Sequence, residues 1–88
     1  MATNWGDVSF VVRAKNRKAV FEALTSPKTP TQLSKELEIN VGFVSNILIE
    51  LKERGLIECL TPDEKRHRLY KITSHGSEIL KEMKKLVD

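Results

Sequence analysis

The sequence has very little cysteine and no long apolar run. Cys59 is the only cysteine, which excludes an internal disulfide and therefore a disulfide-rich secreted scaffold or a cysteine-based zinc site. No apolar run approaches the roughly 20 residues that a membrane span needs. Residues 1–7 lack the basic-then-apolar pattern of a signal peptide. We therefore expect neither export nor membrane anchoring, and a cytoplasmic location.

The signatures of common catalytic sites are missing too. The sequence contains no Gly-rich phosphate loop, no paired-histidine helix motif and no Ser/His/Asp set. Cys59, His67 and His75 do not have the spacing of metal ligands. A chain of 88 residues has room for one modest core, which excludes a second, catalytic domain. We expect no enzyme, no cofactor and no metal.

What is present indicates a folded domain with a mild positive charge. Hydrophobic residues make up 40% of the chain and charged residues 31%, as in ordinary globular domains. Lys and Arg number 15 against 12 Asp and Glu, a net charge of +3. That excess fits a polyanionic partner without requiring one. We expect a single domain over residues 1–88, with residues 1–6 as a disordered arm.

The N-terminal third has the apolar spacing of helices. Apolar residues recur with helical periodicity over 7–24, interrupted by a polar stretch over 13–18. This pattern leaves two alternatives open: one kinked helix, or a short helix followed by a main helix from about Lys15 to Thr25. The helix ends at Ser26, because the residue before Pro27 is disfavoured in helical geometry.

Two further helices follow with clear start signals. Thr29-Pro30-Thr31-Gln32 is a capping box with proline at the first helical position, so a helix begins at Pro30 and ends near Glu38. Asn40 caps a longer helix over about 41–54. The core-facing row of that helix has i, i+3, i+4, i+7 spacing and comprises Val41, Val44, Ile47, Leu48 and Leu51. The opposite face carries Gly42, Asn46, Ile49 and Glu53, flanked by Phe43, Ser45 and Glu50.

After the second of these helices the apolar period changes to two. Gly55 is placed for a left-handed helix C-cap, and the segments 57–61 and 69–73 alternate as strands do. Pairing Glu58 with Lys71 also places Cys59 opposite Tyr70 and Leu60 opposite Leu69, which favours this hairpin register. The connecting loop over 62–68 is basic in its second half. A last helix follows, capped by Thr73 or Ser74.

This order of elements predicts a mainly α fold with a small β-hairpin, the winged helix-turn-helix: a three-helix core, a two-stranded wing and a C-terminal helix. The segments TPTQLSKELEINVGFVSNILIELKERGLIE and RLYKITSHG resemble the MarR/ArsR-type winged helix-turn-helix transcriptional regulators, in particular their short single-domain archaeal kind. The resemblance covers about Lys15 to Lys81.

The resemblance implies sequence-specific binding of double-stranded DNA, with the helix over about 41–54 in the major groove and the wing over 62–68 on the backbone or minor groove. Thr29 and Thr31 would approach phosphate. The residues implied to face bases are Gly42, Phe43, Ser45 and Asn46. The wing residues implied to hold the backbone or minor groove are Lys65, Arg66, His67 and Arg68.

Several of these residues have a second interpretation. Asn46 can contact an adenine edge or be solvated, and Phe43 can touch a thymine methyl or pack against the preceding helix. Ile49 is either an isolated exposed residue or a dimer or partner contact. A protein–protein interaction module with little or no DNA binding is the alternative function. The residues that favour it are Phe43, Ile49, Glu50 and Glu53.

The sequence departs from the family in its charges. Many members have a basic residue where Asn46 stands, and here Thr29–Gly55 contains three cations against four carboxylates. Since phosphate neutralisation supplies most non-specific affinity, the charge must come from Lys65–Arg68 and from Arg13–Lys18. We also expect a homodimer through the terminal helices. Its surface is predicted at Phe10, Val11, Leu86 and Val87.

Overall fold

The computed structural model describes residues 5–65 and 68–85. Within these ranges the chain forms five helices and one two-stranded antiparallel hairpin. The elements come in the predicted order, with the hairpin between the fourth and fifth helices. The predicted winged helix-turn-helix fold is therefore confirmed.

The N-terminal third forms two helices, α1 (Trp5–Val12) and α2 (Lys15–Ala23). Ala14 separates them with an extended backbone, φ −118° and ψ 119°, so the alternative of a short helix before a main helix is confirmed. Trp5 and Gly6, which we expected in a disordered arm, are the first residues of α1. The rest of that arm, 1–4, lies outside the described residues.

The next two helices begin where the capping residues predict. Helix α3 (Pro30–Leu37) has both bonds of the capping box: the Gln32 N–H donates to Thr29 Oγ1 at 3.2 Å, and the Thr29 N–H donates to Gln32 Oε1 at 2.8 Å. At the start of α4 (Val41–Glu53), Asn40 Oδ1 accepts the Gly42 N–H at 2.8 Å. These local bonds satisfy N–H groups that a helix start leaves free.

The two strands of the wing pair in the predicted register, and a further backbone bridge connects the wing to the rest of the chain. Strands β1 (Ile57–Cys59) and β2 (Tyr70–Ile72) pair Glu58 with Lys71 and Cys59 with Tyr70, and the Leu60 N–H donates to the Leu69 carbonyl at 2.7 Å. Tyr70 also exchanges two backbone hydrogen bonds with Lys28, of 2.9 and 3.1 Å. That bridge fixes the base of the wing to the residues just before α3.

The last helix, α5 (Ser74–Lys85), is capped by Thr73, whose Oγ1 accepts the Gly76 N–H at 3.0 Å. Gly76 lies so close to the chain after α4 that a Cβ there would be 2.0 Å from the Leu56 carbonyl oxygen. Glycine at this position therefore allows α5 to pack against the start of the wing.

One hydrophobic core joins residues from every helix and from β1. Its fully buried members include Val11, Phe21, Leu33, Leu51 and Leu56. Since α4 packs against α2, α3 and β1, the core fixes the helix-turn-helix and the wing relative to each other. Among the described helices, none is both long and apolar enough to cross a membrane.

Candidate nucleic-acid interface

The turn between α3 and α4 is held in one conformation. Glu38 ends α3 in the left-handed region with φ 56°, which costs a non-glycine residue roughly 1–2 kcal/mol. Ser34 offsets part of that cost, because its carbonyl accepts the Ile39 N–H at 3.1 Å and its hydroxyl donates to the Ile39 carbonyl at 2.5 Å. The turn therefore presents α4 at a fixed angle to α3.

The two threonines at the start of α3 stand in different positions. Thr29 is half-buried and its Oγ1 is the N-cap acceptor, which leaves the hydroxyl hydrogen free to donate. Thr31 is exposed one residue into the helix. Both predicted phosphate contacts thus lie at one helix end, where the local N–H groups favour an anion.

The predicted base-facing residues lie along the outer side of α4. Gly42, Phe43 and Asn46 are exposed, and Ser45 is half-buried. Phe43 is 53% exposed, so the alternative in which it packs into the core against α3 is wrong. It lies instead beside a cleft of about 450 Å³, which it shares with Ile47 and the α1–α2 corner at 14–17.

The described part of the wing loop presents two cations. Lys65 and Arg68 are exposed, and Arg68 Nε donates to the Glu64 carbonyl at 2.6 Å. Neither side chain forms an ion pair with residues in the described ranges. The other two predicted wing contacts, Arg66 and His67, lie outside the described residues.

A second cleft brings residues of α3, α4 and the wing together. Its volume is about 310 Å³. The polar residues that line it are Thr31, Ser45, Lys65 and Arg68, and the apolar ones are Pro30, Leu48, Ile49 and Tyr70. Three separate sequence segments thus contribute predicted contact residues to one surface, here called the wing cleft.

Several charges of the helix-turn-helix are already paired inside the molecule. Lys28 Nζ lies 2.9 Å from Glu36 Oε1, and Arg17 Nη2 lies 3.5 Å from Glu50. Arg54 Nη1 lies 3.0 Å from Asp7 Oδ1. The cations in these pairs are not free to neutralise phosphate, whereas Lys65 and Arg68 of the wing are exposed and form no ion pair within the described ranges.

Arg17 corrects one part of the charge prediction. Its side chain is only 18% exposed, its guanidinium lies 3.8 Å from the centre of the Phe10 ring, and Nη1 donates to the Phe10 carbonyl at 2.5 Å. The Arg54 guanidinium lies 3.9 Å from the same ring centre. Two groups this close fit only on opposite faces, so Phe10 is enclosed by two arginines. Of the Arg13–Lys18 cluster, Arg13 and Lys15 are the exposed cations.

Asp7 is the buried carboxylate among the described residues, with 6% exposure. Besides Arg54 it meets His75, whose Nε2 lies 2.7 Å from Asp7 Oδ2. Burial raises the pKa of Asp7, but hydrogen bonds and positive charge from His75 and Arg54 outweigh that effect, so its pKa lies below the ordinary 3.8. The contacts of Asp7 with Arg54 and His75 therefore connect α1 to the end of α4 and to the start of α5.

The predicted dimer surface also needs correction. Val11 is fully buried in the core and Phe10 is covered by the two arginines, so neither is available to a second copy. Leu86 and Val87 lie outside the described residues. The apolar side chains of α1 that are exposed are Trp5, at 57%, and Val12, at 40%.

The contacts of Asp7 and the bridge between Lys28 and Tyr70 were not predicted from the sequence. An acidic residue at the start of an apolar helix was a weak signal for the first, and no sequence signal marked its partners. No group of three or more potential metal ligands occurs in the part of the chain that the structure describes.

Comparison with known proteins gives a consistent result. A winged helix-turn-helix family profile matches residues 18–88. A MarR family transcription regulator of known structure is 31% identical, with a TM-score of 0.68 over 93% of this chain and 62% of that one. A mutant MarR from E. coli, solved in complex with operator DNA, is 26% identical, with a TM-score of 0.70 over 91% of this chain and 62% of that one.

A structure of ZitR from Lactococcus lactis shares the fold, with a TM-score of 0.72 and 22% identity over 82% of this chain and 51% of that one. The chain thus spans 51% to 62% of the length of these three proteins. No functionally curated sequence matches it. Since the profile covers most of the sequence and the fold agrees, the chain belongs to the winged helix-turn-helix family and is similar to its MarR-family regulators.

Proposed function

We propose that this protein is a transcriptional regulator that binds double-stranded DNA at specific sequences. The observation that carries the proposal is the wing cleft, where Thr31 from α3, Ser45 from α4 and the wing cations Lys65 and Arg68 share one surface. An α-helix fits the major groove of DNA, and a neighbouring basic loop reaches the flanking phosphates.

Each element of the interface has its own role in this proposal. Helix α4 lies in the major groove with Gly42, Phe43 and Asn46 towards the bases. Thr29 and Thr31 donate to a phosphate at the start of α3, and the wing over 62–68 contacts the backbone or the minor groove. The whole of 1–88 acts as one domain.

The proposal extends to the partner, the oligomeric state and the location of the protein. The E. coli MarR mutant was solved with operator DNA, which supports the same partner here. Regulators of this fold commonly bind as two-fold dimers, because a palindromic operator offers two half-sites, and we propose a homodimer for this chain also. Its target DNA places the protein in the cytoplasm.

Fluorescence anisotropy of a labelled duplex, measured at several salt concentrations, tests the proposal. The wild type is expected to bind and to lose affinity steeply with salt, because binding releases counterions from the DNA. Lys65→Ala/Arg68→Ala should bind more weakly, with the salt slope reduced by about two for each protomer bound. Lys81→Ala/Lys84→Ala removes the same charge from exposed positions of α5 and should keep the wild-type slope.

If the wild type fails to bind duplex DNA even at low salt, the regulator proposal is wrong. The exposed Phe43 and Ile49 of α4 would then favour the alternative function, a module for protein–protein contact.

A further inference from the structure

The outer row of α4 has an unusual chemistry for a helix that faces DNA. Along it lie Gly42, Asn46, Ile49 and Glu53, with Phe43 beside them, all exposed. Ile49 is 56% exposed and Phe43 53%. The row therefore offers a base pair one amide and two apolar side chains, with its carboxylate at the last helical residue.

Helix α4 and its C-cap residue contain two cations, Lys52 and Arg54, and neither lies beside Asn46. Arg54 is bound to Asp7 at 3.0 Å and lies over Phe10. Lys52 is exposed and lies three residues beyond Ile49, but at about 100° per residue it is about 120° around the helix from Asn46 and near the C-terminal end of α4. Guanine is normally recognised by Arg or Lys donating to its O6 and N7 atoms. Over residues 41–51 of α4, which include both Asn46 and Ile49, there is no such donor.

The two carboxylates near this row do not supply an alternative reading. A carboxylate can accept from the cytosine amino group, but Glu50 is paired with Arg17 and Glu53 lies nearly two turns beyond Asn46. The chemistry that remains at the centre of the row is that of Asn46 and Ile49. They are three residues apart and therefore neighbours on the helix surface.

We propose that this row reads A·T base pairs, which deepens the proposed function and rests on it. The Asn46 amide accepts from adenine N6 and donates to adenine N7, and the Ile49 side chain packs on a thymine C5 methyl. The adenine N6 and N7 atoms and the thymine C5 methyl are all exposed in the major groove of an A·T pair. The half-site of this protein is therefore an A·T step centred under Asn46 and Ile49.

The charges around Ile49 favour DNA over a protein as the occupant of this row. Ile49 lines the wing cleft together with Lys65 and Arg68, so an apolar contact made there is flanked by two cations. Phosphates border the base edges of a major groove on both sides, which matches this arrangement. An apolar contact with a thymine methyl and a charged contact with a phosphate can thus form together.

A binding-site selection, followed by an affinity measurement with and without the thymine methyl, tests the inference. The wild type is used to select binding sequences from a random duplex library amplified with dTTP. The affinity for the selected duplex is then compared with that for the same sequence containing uracil, which lacks only the C5 methyl. We expect A·T pairs in the selected half-site and, for each half-site bound, a loss of about fourfold with uracil, the effect of one buried methyl group.

Two variants separate Ile49 from general effects. Ile49→Ala should bind the thymine duplex about fourfold more weakly or worse, and should no longer distinguish thymine from uracil. Ser77→Ala changes an exposed residue of α5 that does not line the wing cleft and should retain the discrimination. Thermal unfolding of each variant confirms that it is folded, and the comparison on the wild type stands without either variant.

The outcomes that overturn the inference differ from those that overturn the proposed function. Salt-dependent binding with equal affinity for thymine and uracil, or a selected half-site of G·C pairs, overturns the A·T reading and leaves a DNA-binding regulator. Failure of the wild type to retain any duplex at low salt overturns both, and the exposed row is then a contact for another protein.

Discussion

At the scale of single residues, Asp7 shows how a buried charge is tolerated. Its carboxylate is 6% exposed and meets Arg54 at 3.0 Å and His75 at 2.7 Å. An isolated buried carboxylate would be strongly destabilising, whereas one that is hydrogen-bonded to Arg54 and His75 is not. Removing the carboxylate also removes the link from α1 to the end of α4.

The lowered pKa of Asp7 predicts a change of stability in acid. A folded-state pKa below 3.8 means that the ionised carboxylate stabilises the fold above that value, and that this contribution is lost as the pH falls through the folded pKa. We expect Asp7→Asn to lower the free energy of unfolding by about 1–2 kcal/mol near neutral pH. Urea unfolding of both proteins should show this difference shrinking below pH 3.8.

Glu22→Gln provides the matched control for that experiment. Glu22 is exposed on α2 and forms no ion pair with residues in the described ranges. Its substitution should leave the unfolding free energy close to that of the wild type. A difference between wild type and Asp7→Asn that is the same at pH 7 and pH 2.5 would contradict the assignment.

Gly76 supports a second prediction at this scale. A methyl group at this position would lie 2.0 Å from the Leu56 carbonyl oxygen and 2.8 Å from Ile72 Cγ2, so the backbone of α5 has to shift. Overpacking of this kind costs about 1–3 kcal/mol or more. Gly76→Ala should therefore lower the melting temperature by about 4 °C or more, as measured by circular dichroism.

Ser77→Ala serves as the control, because Ser77 is exposed on the same helix and alanine favours helices there as well. If Gly76→Ala melts no lower than Ser77→Ala, the close approach of α5 to Leu56 does not limit this position.

Hydrogen bonds made by side chains were predicted only where the two residues are close in sequence. The bonds of Thr29 with Gln32 and of Asn40 with Gly42 span two or three positions, so the residue types at that spacing were sufficient. Asp7 lies 47 positions from Arg54 and 68 from His75. The spacing along the chain carries no signal for such a contact, which arises only when the helices pack.

At the scale of elements, the start of α3 combines a structural and a proposed binding role. Thr29 caps the helix and Thr31 stands exposed beside it. Thr29→Ala should lower the unfolding free energy by about 1 kcal/mol, because the cap acceptor is lost. Thr31→Ala, which removes no cap, should leave it within about 0.5 kcal/mol of wild type.

Both variants test the phosphate contact when affinity is measured under conditions in which they remain folded. Each should weaken binding of a labelled duplex about equally across sequences, since a phosphate contact carries no base information. If Thr31→Ala has wild-type affinity and stability, the start of α3 does not touch the DNA.

The positions of the helices and strands were predicted well from the apolar periodicity. Which side of each element is exposed was predicted less well. The hairpin register was fixed because one pairing satisfied Glu58 with Lys71 and the apolar neighbours at once. Helix α1 has only eight residues, so its apolar positions could not show which side would meet the core and which the solvent. That is why Phe10 and Val11 were expected on the surface, although Trp5 and Val12 occupy it.

At the scale of the whole molecule, internal pairing decides which charges reach a partner. Arg17 and Arg54 enclose Phe10 at the junction of α1, α2 and α4, where they stabilise the packing of these helices. Their positive charge is thereby withdrawn from the outer side of α4. Since each of these arginines is paired with a carboxylate, the net charge of +3 is carried by other cations, and among these the exposed Lys65 and Arg68 lie beside α4.

A two-fold dimer would join two such interfaces, and the exposed apolar side of α1 is where we expect the contact. Trp5 and Val12 are seven positions apart and therefore on one side of the helix; they are 57% and 40% exposed. In a symmetric interface each substitution acts twice, so Trp5→Ala/Val12→Ser should weaken dimerisation at least about 100-fold. Sedimentation velocity over a range of concentrations measures this, with Leu60→Ser, an exposed leucine of the wing, as the control. A wild type that stays monomeric throughout, or a double variant that dimerises like the wild type, would place the interface elsewhere.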